Sequence, residues 1–321
     1  MNREQEAPRV WETAIIGGGS AGLSAALILA RARRRVIVID GGKPRNAPAA
    51  AAHGLLGHDG IDPLNLLEKG REEVSSYGAH VVHTTVVESS GSSDEGFVLH
   101  LVDGTSVRAS QLLLASGVRD ELPAIPGLAE RWGRDVVHCP YCHGWEIRDQ
   151  RIGLLATGPM SALEALLFQQ WSTHVWFFPN GMEIPAEELQ KLIAVGVTIV
   201  AGRIGSVEVT DDRLAGARLD NGTRVALDAL AVPARTVARL DGLEGLGIRT
   251  VENVAGVAVV VDAAGRTSTP GVWAAGNVVN PGMQVSEAAA NGARVAMTIN
   301  TELVFARAYH ALVDRRKLGV V

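Results

Sequence analysis

The sequence predicts an α/β protein of parallel strands covered by helices, and three observations carry that expectation. Short apolar runs end in glycine-rich turns that open into helix-forming stretches, near the N-terminus and again mid-chain. A third strand-and-helix unit, built of small residues, closes the 321-residue sequence. Its 36 glycines and 4% aromatic residues suit many tight strand-to-helix turns.

Bulk properties exclude several function classes. A hydrophobic share of 47% and a charged share of 20% are those of a globular chain, long enough for two ordinary domains. A net charge of −5 provides no basic field to recruit nucleic acid. Met1 to Thr13 is polar, without the apolar core of a signal peptide, and no apolar run approaches the roughly 18 to 20 residues of a membrane helix. A cytoplasmic protein with no membrane contact is expected. In that setting its two cysteines read as catalytic or metal-binding rather than as a staple.

The first unit is the most specific. Thr13–Ile16 reads as a buried strand, Gly17-Gly18-Gly19-Ser20-Ala21-Gly22 as a turn, Leu23–Ala30 as a helix, and Arg35–Ile39 as a second strand ending in Asp40. This is G-x-G-x-x-G in a strand–turn–helix–strand context with an acid about 20 residues on, the mark of a Rossmann-like dinucleotide site. Gly17 permits the turn, Gly19 admits a pyrophosphate, Gly22 lets helix and strand pack, and Asp40 accepts from a ribose. An acid at that point suits FAD or NAD and disfavours NADP. Gly41 to Pro48, with Gly41, Arg45 and Asn46, reads as a loop beside the cofactor. His53 to Gly60 reads as a solvated loop whose two histidines and acid are candidates to line a cleft.

A helix is expected from Asp62, then strands at Ala79–His83, Gly96–Leu101, Ser106–Arg108 and Gln111–Gly117, with a turn at Asp103-Gly104. Arg151–Leu155, a turn through Ser161, a helix from about Ala162 to Gln170 and His174–Phe178 repeat the βαβ outline. The repeat is degraded: Ala156 stands at the first glycine, Pro159 intrudes, Ser161 takes the last glycine, and Pro179-Asn180-Gly181 follows where an NADP site needs arginines. A Cβ in a left-handed turn costs about 1–2 kcal/mol. Each lost charge-assisted hydrogen bond costs about 1.5–3 kcal/mol. Two such losses weaken NADPH binding by roughly a hundredfold to ten-thousandfold. The competing expectation is a site that works with other residues. Short strands and hairpins follow to Leu230, with a turn at Asn221-Gly222. The closing unit is a strand, Gly271–Val278, and a helix from Gln284 to about Phe305.

Between the two units lies His138-Cys139-Pro140-Tyr141-Cys142-His143. Cysteines at this spacing can close a small disulfide ring, and the flanking histidines can stabilise a thiolate or take its proton. Cys-x-x-Cys-His also matches a haem-attachment motif, which needs export. A zinc site would use both cysteines and both histidines in cramped geometry. Two inert buried thiols are the remaining option.

Taken together, the chain resembles the low-molecular-weight thioredoxin reductase family of flavoproteins. Gly17–Gly22 resembles its FAD fingerprint, and Ala115-Ser116-Gly117 is similar to its Ala-Thr-Gly strand end. Cys139–Cys142 stands where its redox disulfide stands. Ala274-Ala275-Gly276-Asn277 looks like its C-terminal flavin motif, with Asn277 in place of aspartate. The resemblance implies two Rossmann-like three-layer domains (FAD- and NAD(P)-binding), the second inserted into the first: an FAD domain of residues 1–120 and 251–321, and an insert of residues 121–250 carrying the cysteines. It implies FAD contacts from Gly17, Gly19, Ser20, Ala21, Gly22, Asp40, Gly41, Arg45, Asn46, Ala115, Gly117, Gly276, Asn277, Gln284 and Val285, and a homodimer.

Two departures, the worn NADPH site and His143 in place of the family's acid, look like the branch of dithiol oxidases that close gliotoxin- and holomycin-type disulfides. By that resemblance Cys142 contacts flavin and Cys139 exchanges with a small-molecule dithiol. His143, or else His138, takes the proton, and O2 reoxidises FAD to give H2O2. The alternatives are a reductase fed by NADPH or a protein donor such as ferredoxin, acting on thioredoxin or a small disulfide, and a flavin redox sensor without turnover.

Overall fold

In the computed structural model, which describes residues 10–254 and 256–318, four sheets form. Residues 1–9, most of the polar N-terminal segment discussed above, lie outside the described residues. The first sheet has a parallel centre in the order His80–His83, Val36–Asp40, Val10–Ile16, Ser106–Leu114, Val272–Ala274. Ile16 pairs in register with Ile39 on one side and Leu114 on the other, and Leu114 with Ala274. The strand ends are therefore level. The sheet order reverses at the central strand, which opens a crevice at the carboxyl ends of the strands.

Ser106–Leu114 is one strand where the sequence predicts two. Its first half alternates exposed and buried residues and pairs antiparallel with Gly96–Leu101. Its second half is buried on both faces between parallel neighbours. A change of environment within one strand mimics a break between two. The expected turn at Asp103-Gly104 is present, with Asp103 Oδ1 accepting from Thr105 N at 2.9 Å. Asp62 caps the Pro63–Ser76 helix, accepting from Leu64 N and Asn65 N at 2.9 and 2.8 Å.

The helices Ser20–Arg31 and Val285–Lys317 pack side by side, and Gly292 makes the approach possible, since a Cβ there would strike the Ala21 backbone. The last helix runs past the expected Phe305 because no breaker intervenes, and Arg315, Arg316 and Lys317 complement its C-terminal dipole. Burial of Leu29, Val38, Leu113, Trp273 and Ile299 fuses helices and sheet into one core. At roughly 25 cal/mol per Å2 of apolar surface, that burial is the main force holding the crevice open in one shape.

A second, all-parallel sheet runs Thr198–Ile199, Val175–Phe178, Ile152–Leu155, Ala229–Ala231, Val136–Val137. The Cys139 turn follows its edge strand. Ile204–Thr210, Arg213–Leu219 and Arg224–Val225 form an antiparallel meander, with Asn221-Gly222 at its last turn. The fourth sheet joins the two units. Val118–Glu121, leaving the first sheet, pairs antiparallel with Arg235–Ala238, returning to it, and Gly256–Val259 and Thr250–Asn253 complete it.

Candidate active site

The crevice is a cavity of about 620 Å3 lined by both units. From the first come Gly17 to Ala21, Asp40 to Asn46, Ala115 to Gly117, Asn277, Gln284 and Val285. From the second come His138, Cys139, Cys142 and His143. Gly22 and Gly276 do not line it. They sit behind the wall, where a Cβ would meet Gly17 O and Ala21 Cβ respectively. Gly17 is required at the turn, with φ +112° and a Cβ position occupied by Ala115 O.

Several features fit FAD. Among the described residues no side chain caps the Ser20–Arg31 helix, its first turn has no acid, and a Cβ on Gly19 would meet nothing within 4 Å. Its N–H groups thus face an open cradle suited to a pyrophosphate. Asp40 is buried, with Oδ1 accepting from Gly42 N at 2.9 Å. Thr84, missed in the sequence, lines the cavity, and its buried hydroxyl has no hydrogen-bond partner among the described residues. The orphaned hydroxyl suits a ligand donor or acceptor beside Asp40, whose carbonyl receives Thr84 N–H at 3.0 Å.

Two residues hold the cradle through protein contacts. Arg45 forks onto Asp120, Nε to Oδ2 at 2.9 Å and Nη2 to Oδ1 at 2.6 Å, which ties its loop to the Val118–Glu121 strand. The Asn277 amide nitrogen donates to Met283 O at 2.8 Å and Pro281 O at 3.0 Å. An aspartate there would face those two carbonyls with no proton to give, so the asparagine follows from this loop. Gln284 and Glu287 form a capping box at the start of the last helix, Glu287 Oε2 accepting from Gln284 N at 2.9 Å.

Cys139 and Cys142 form a disulfide with Cα atoms 5.2 Å apart. Pro140 starts a one-turn helix, Pro140–His143, that carries Cys142 back over Cys139. The flanking histidines differ. His138 Nδ1 lies 3.2 Å from Ala234 N and 3.3 Å from Val232 O, anchored to the strand end behind it. Burial lowers its pKa and Arg45 adds to the effect. Both His143 nitrogens are buried without a partner among the described residues. Burial lowers the His143 pKa, Glu146 opposes that, and His53 reinforces it. His143 is therefore neutral near pH 7, with one nitrogen free to accept a proton. No described helix is long and apolar enough to cross a membrane.

The profile of the pyridine nucleotide-disulphide oxidoreductases matches residues 11–292. Thioredoxin reductase tcpT of Claviceps purpurea is 33% identical over 82% of this chain and 85% of its own. The crystal structure of HlmI superposes with a TM-score of 0.91 at 40% identity, covering 98% of this chain and 99% of that one. An oxidoreductase from Agrobacterium tumefaciens follows at TM-score 0.87 and 35% identity, over 92% and 99% of the two chains. The paired cysteines over a nucleotide cradle, on this fold, make the chain a member of the pyridine nucleotide-disulphide oxidoreductase family, a thioredoxin reductase-like flavoenzyme.

Proposed function

We propose that the protein oxidises a small-molecule dithiol to its disulfide through Cys139 and Cys142, with O2 as final acceptor and H2O2 as product. A substrate thiolate attacks Cys139 Sγ, breaks the Cys139–Cys142 bond and leaves Cys142 as thiolate. The second substrate thiol attacks the bound substrate sulfur and expels Cys139, so the substrate leaves as disulfide and both cysteines are reduced. FAD held in the cradle of Gly17 to Ala21 would supply a two-electron acceptor for the reduced pair and pass the electrons to O2. His143, neutral and unpartnered, accepts the thiol proton and then stabilises the thiolate as imidazolium. His138, anchored on the backbone, shapes the wall beside Cys139.

The observation that carries the direction of flow is at the second glycine-rich turn. Ser161 Oγ accepts from Thr157 N at 3.1 Å and Gly158 N at 3.2 Å, so amides a donor nucleotide would use are already engaged. Anaerobic mixing of the yellow protein with NADPH or dithiothreitol tests this. Dithiothreitol should bleach the flavin band, with O2 uptake on exposure to air, and NADPH should not. Rapid bleaching by NADPH sinks the oxidase reading. His143→Ala should slow the dithiothreitol reaction by about 10²–10⁴-fold with FAD still bound. An unchanged rate removes His143 from the role.

The opposite direction, in which NADPH or ferredoxin drives reduction of thioredoxin or a small disulfide, is favoured by one observation, the name thioredoxin reductase carried by tcpT. A sensor role predicts no thiol-dependent bleaching. A cytoplasmic homodimer is the assembly that accompanies either enzyme reading.

A further inference from the structure

Among the described residues the two units share no apolar core. Each core cluster lies within one unit, with Leu29, Leu113 and Leu114 in the first and Phe168, Phe177 and Leu230 in the second. Units joined without a buried apolar interface shift against each other unless directed contacts hold them. At the shared cavity Gly133 packs against Pro48, where a Cβ would lie 2.6 Å from the ring, but that contact carries no direction. A directed contact joins His53 Nε2 to Glu146 Oε1, 3.3 Å apart. Each partner is fixed to its own unit. Ala52 N donates to Ile61 O at 2.8 Å and Asp59 Oδ1 accepts from Gly54 N at 2.9 Å, which closes the His53 loop. Gly54 rests against the Gln284 side chain. The closed loop turns His53 into the cavity, with Nδ1 3.5 Å from Asp59 Oδ2. Glu146 ends the turn that carries the disulfide, and its N–H donates to His143 O at 3.2 Å. Ile147 beside it is buried in the second unit's core, and Gly144 lies against Trp171, where a Cβ would not fit.

We propose that His53 is a positioning residue, which through Glu146 clamps the disulfide turn of the second unit over the cradle of the first. The clamp rests on the reading of Cys139 and Cys142 as the redox pair, and it serves either direction of electron flow. A pair that exchanges electrons with a group bound in the first unit needs its sulfurs held there, and misplacement by about 1 Å slows such a step. Carboxylates stand on both sides of the His53 ring, so it bridges its own closed loop to the disulfide turn. Side-chain exposure of 23% at His53 and 40% at Glu146 sets the strength of the contact. A pair this open to water biases the placement by up to about fivefold and does not lock it.

Stopped-flow bleaching of the holoprotein by dithiothreitol tests the clamp. In His53→Ala the limiting rate should fall about two- to fivefold with the half-saturating dithiothreitol concentration unchanged, because attack on Cys139 does not need the clamp. Glu146→Lys and His53→Glu should each lower the limiting rate at least as much. The double variant rebuilds the pair with its charges exchanged and should return to within about twofold of the parent. Glutamate paired with lysine does not reproduce a histidine's proton chemistry near neutral pH, so this rescue separates positioning from catalysis. A second measurement reads placement without turnover. The cysteines are reduced anaerobically by dithionite through the flavin, freed of excess reductant and treated with iodoacetamide. Cys142, identified by peptide mapping, should be alkylated about two- to fivefold faster in His53→Ala. An unchanged alkylation rate overturns the clamp, and so does a double variant no faster than its slower single variant. If dithiothreitol fails to bleach the parent protein, the dithiol reading falls, and the alkylation rates alone decide the clamp.

Discussion

After Ile16 the backbone amides at the head of the Ser20–Arg31 helix face a cavity, uncapped and with no acid in the first helical turn. After Leu155 the corresponding turn is closed on itself. Ser161 Oγ takes the Thr157 and Gly158 amides, Thr157 Oγ1 donates to Pro233 O, and Glu164 stands in the first turn of the Ser161–Phe168 helix. Two units of the same βαβ design thus differ in what their N–H donors are left to do. A turn keeps its anion site only if no local oxygen fills it, and one fully buried serine is enough to fill it.

The largest effect is expected where the open turn is filled. Gly19→Glu places an anion in the cradle, and loss of the phosphate contacts together with charge repulsion should weaken FAD at least about a hundredfold. Flavin content after purification, with folding checked by circular dichroism, measures it, and a fully yellow Gly19→Glu protein would mean the cradle is elsewhere. Next comes reopening the closed turn. Ser161→Gly releases two amides, each worth about 1.5–3 kcal/mol toward a charged acceptor, and should tighten NADPH by about a hundredfold or more in calorimetry. If NADPH affinity stays unmeasurable, the missing arginines rather than the serine set the limit.

The smallest effect separates the two helix heads by charge. Burial pushes Glu164 up to about 7 from 4.5, and one of its oxygens has no partner among the described residues. The helix dipole contributes at most about 1 kcal/mol in the opposite sense, so burial wins. Because the folded pKa is the higher one, the folded state binds the extra proton. Stability is complete below about 4.5 and falls as pH rises to 7, by about 3 kcal/mol at 1.36 kcal/mol per pH unit. Glu164→Gln should therefore raise the melting temperature at pH about 8 and leave it unchanged at pH about 4. An equal shift at both pH values would assign the gain to packing.

Much of this molecule follows from local pattern. The strand Val10–Ile16, the glycine turn, the helix behind it and Asp40 lie within one short stretch. Their hydrophobic period and turn residues act over a few positions, so the sequence alone specified that unit, and with it the cofactor class. The spacing of Cys139 and Cys142 likewise determined a ring that only adjacent residues can close. The fourth sheet was not legible, because strands such as Val118-Arg119-Asp120-Glu121 carry no apolar alternation and exist only by pairing with distant partners. Tertiary structure also decided which histidine is free. His138 is anchored by Ala234, and His143 is left bare by what does not reach it. His53 read as part of a solvated loop until the loop closed and set it against Glu146, in the other unit. Contacts such as that of His53 with Glu146 depend on distances of about 3 Å between residues far apart in the chain, which no sequence period encodes.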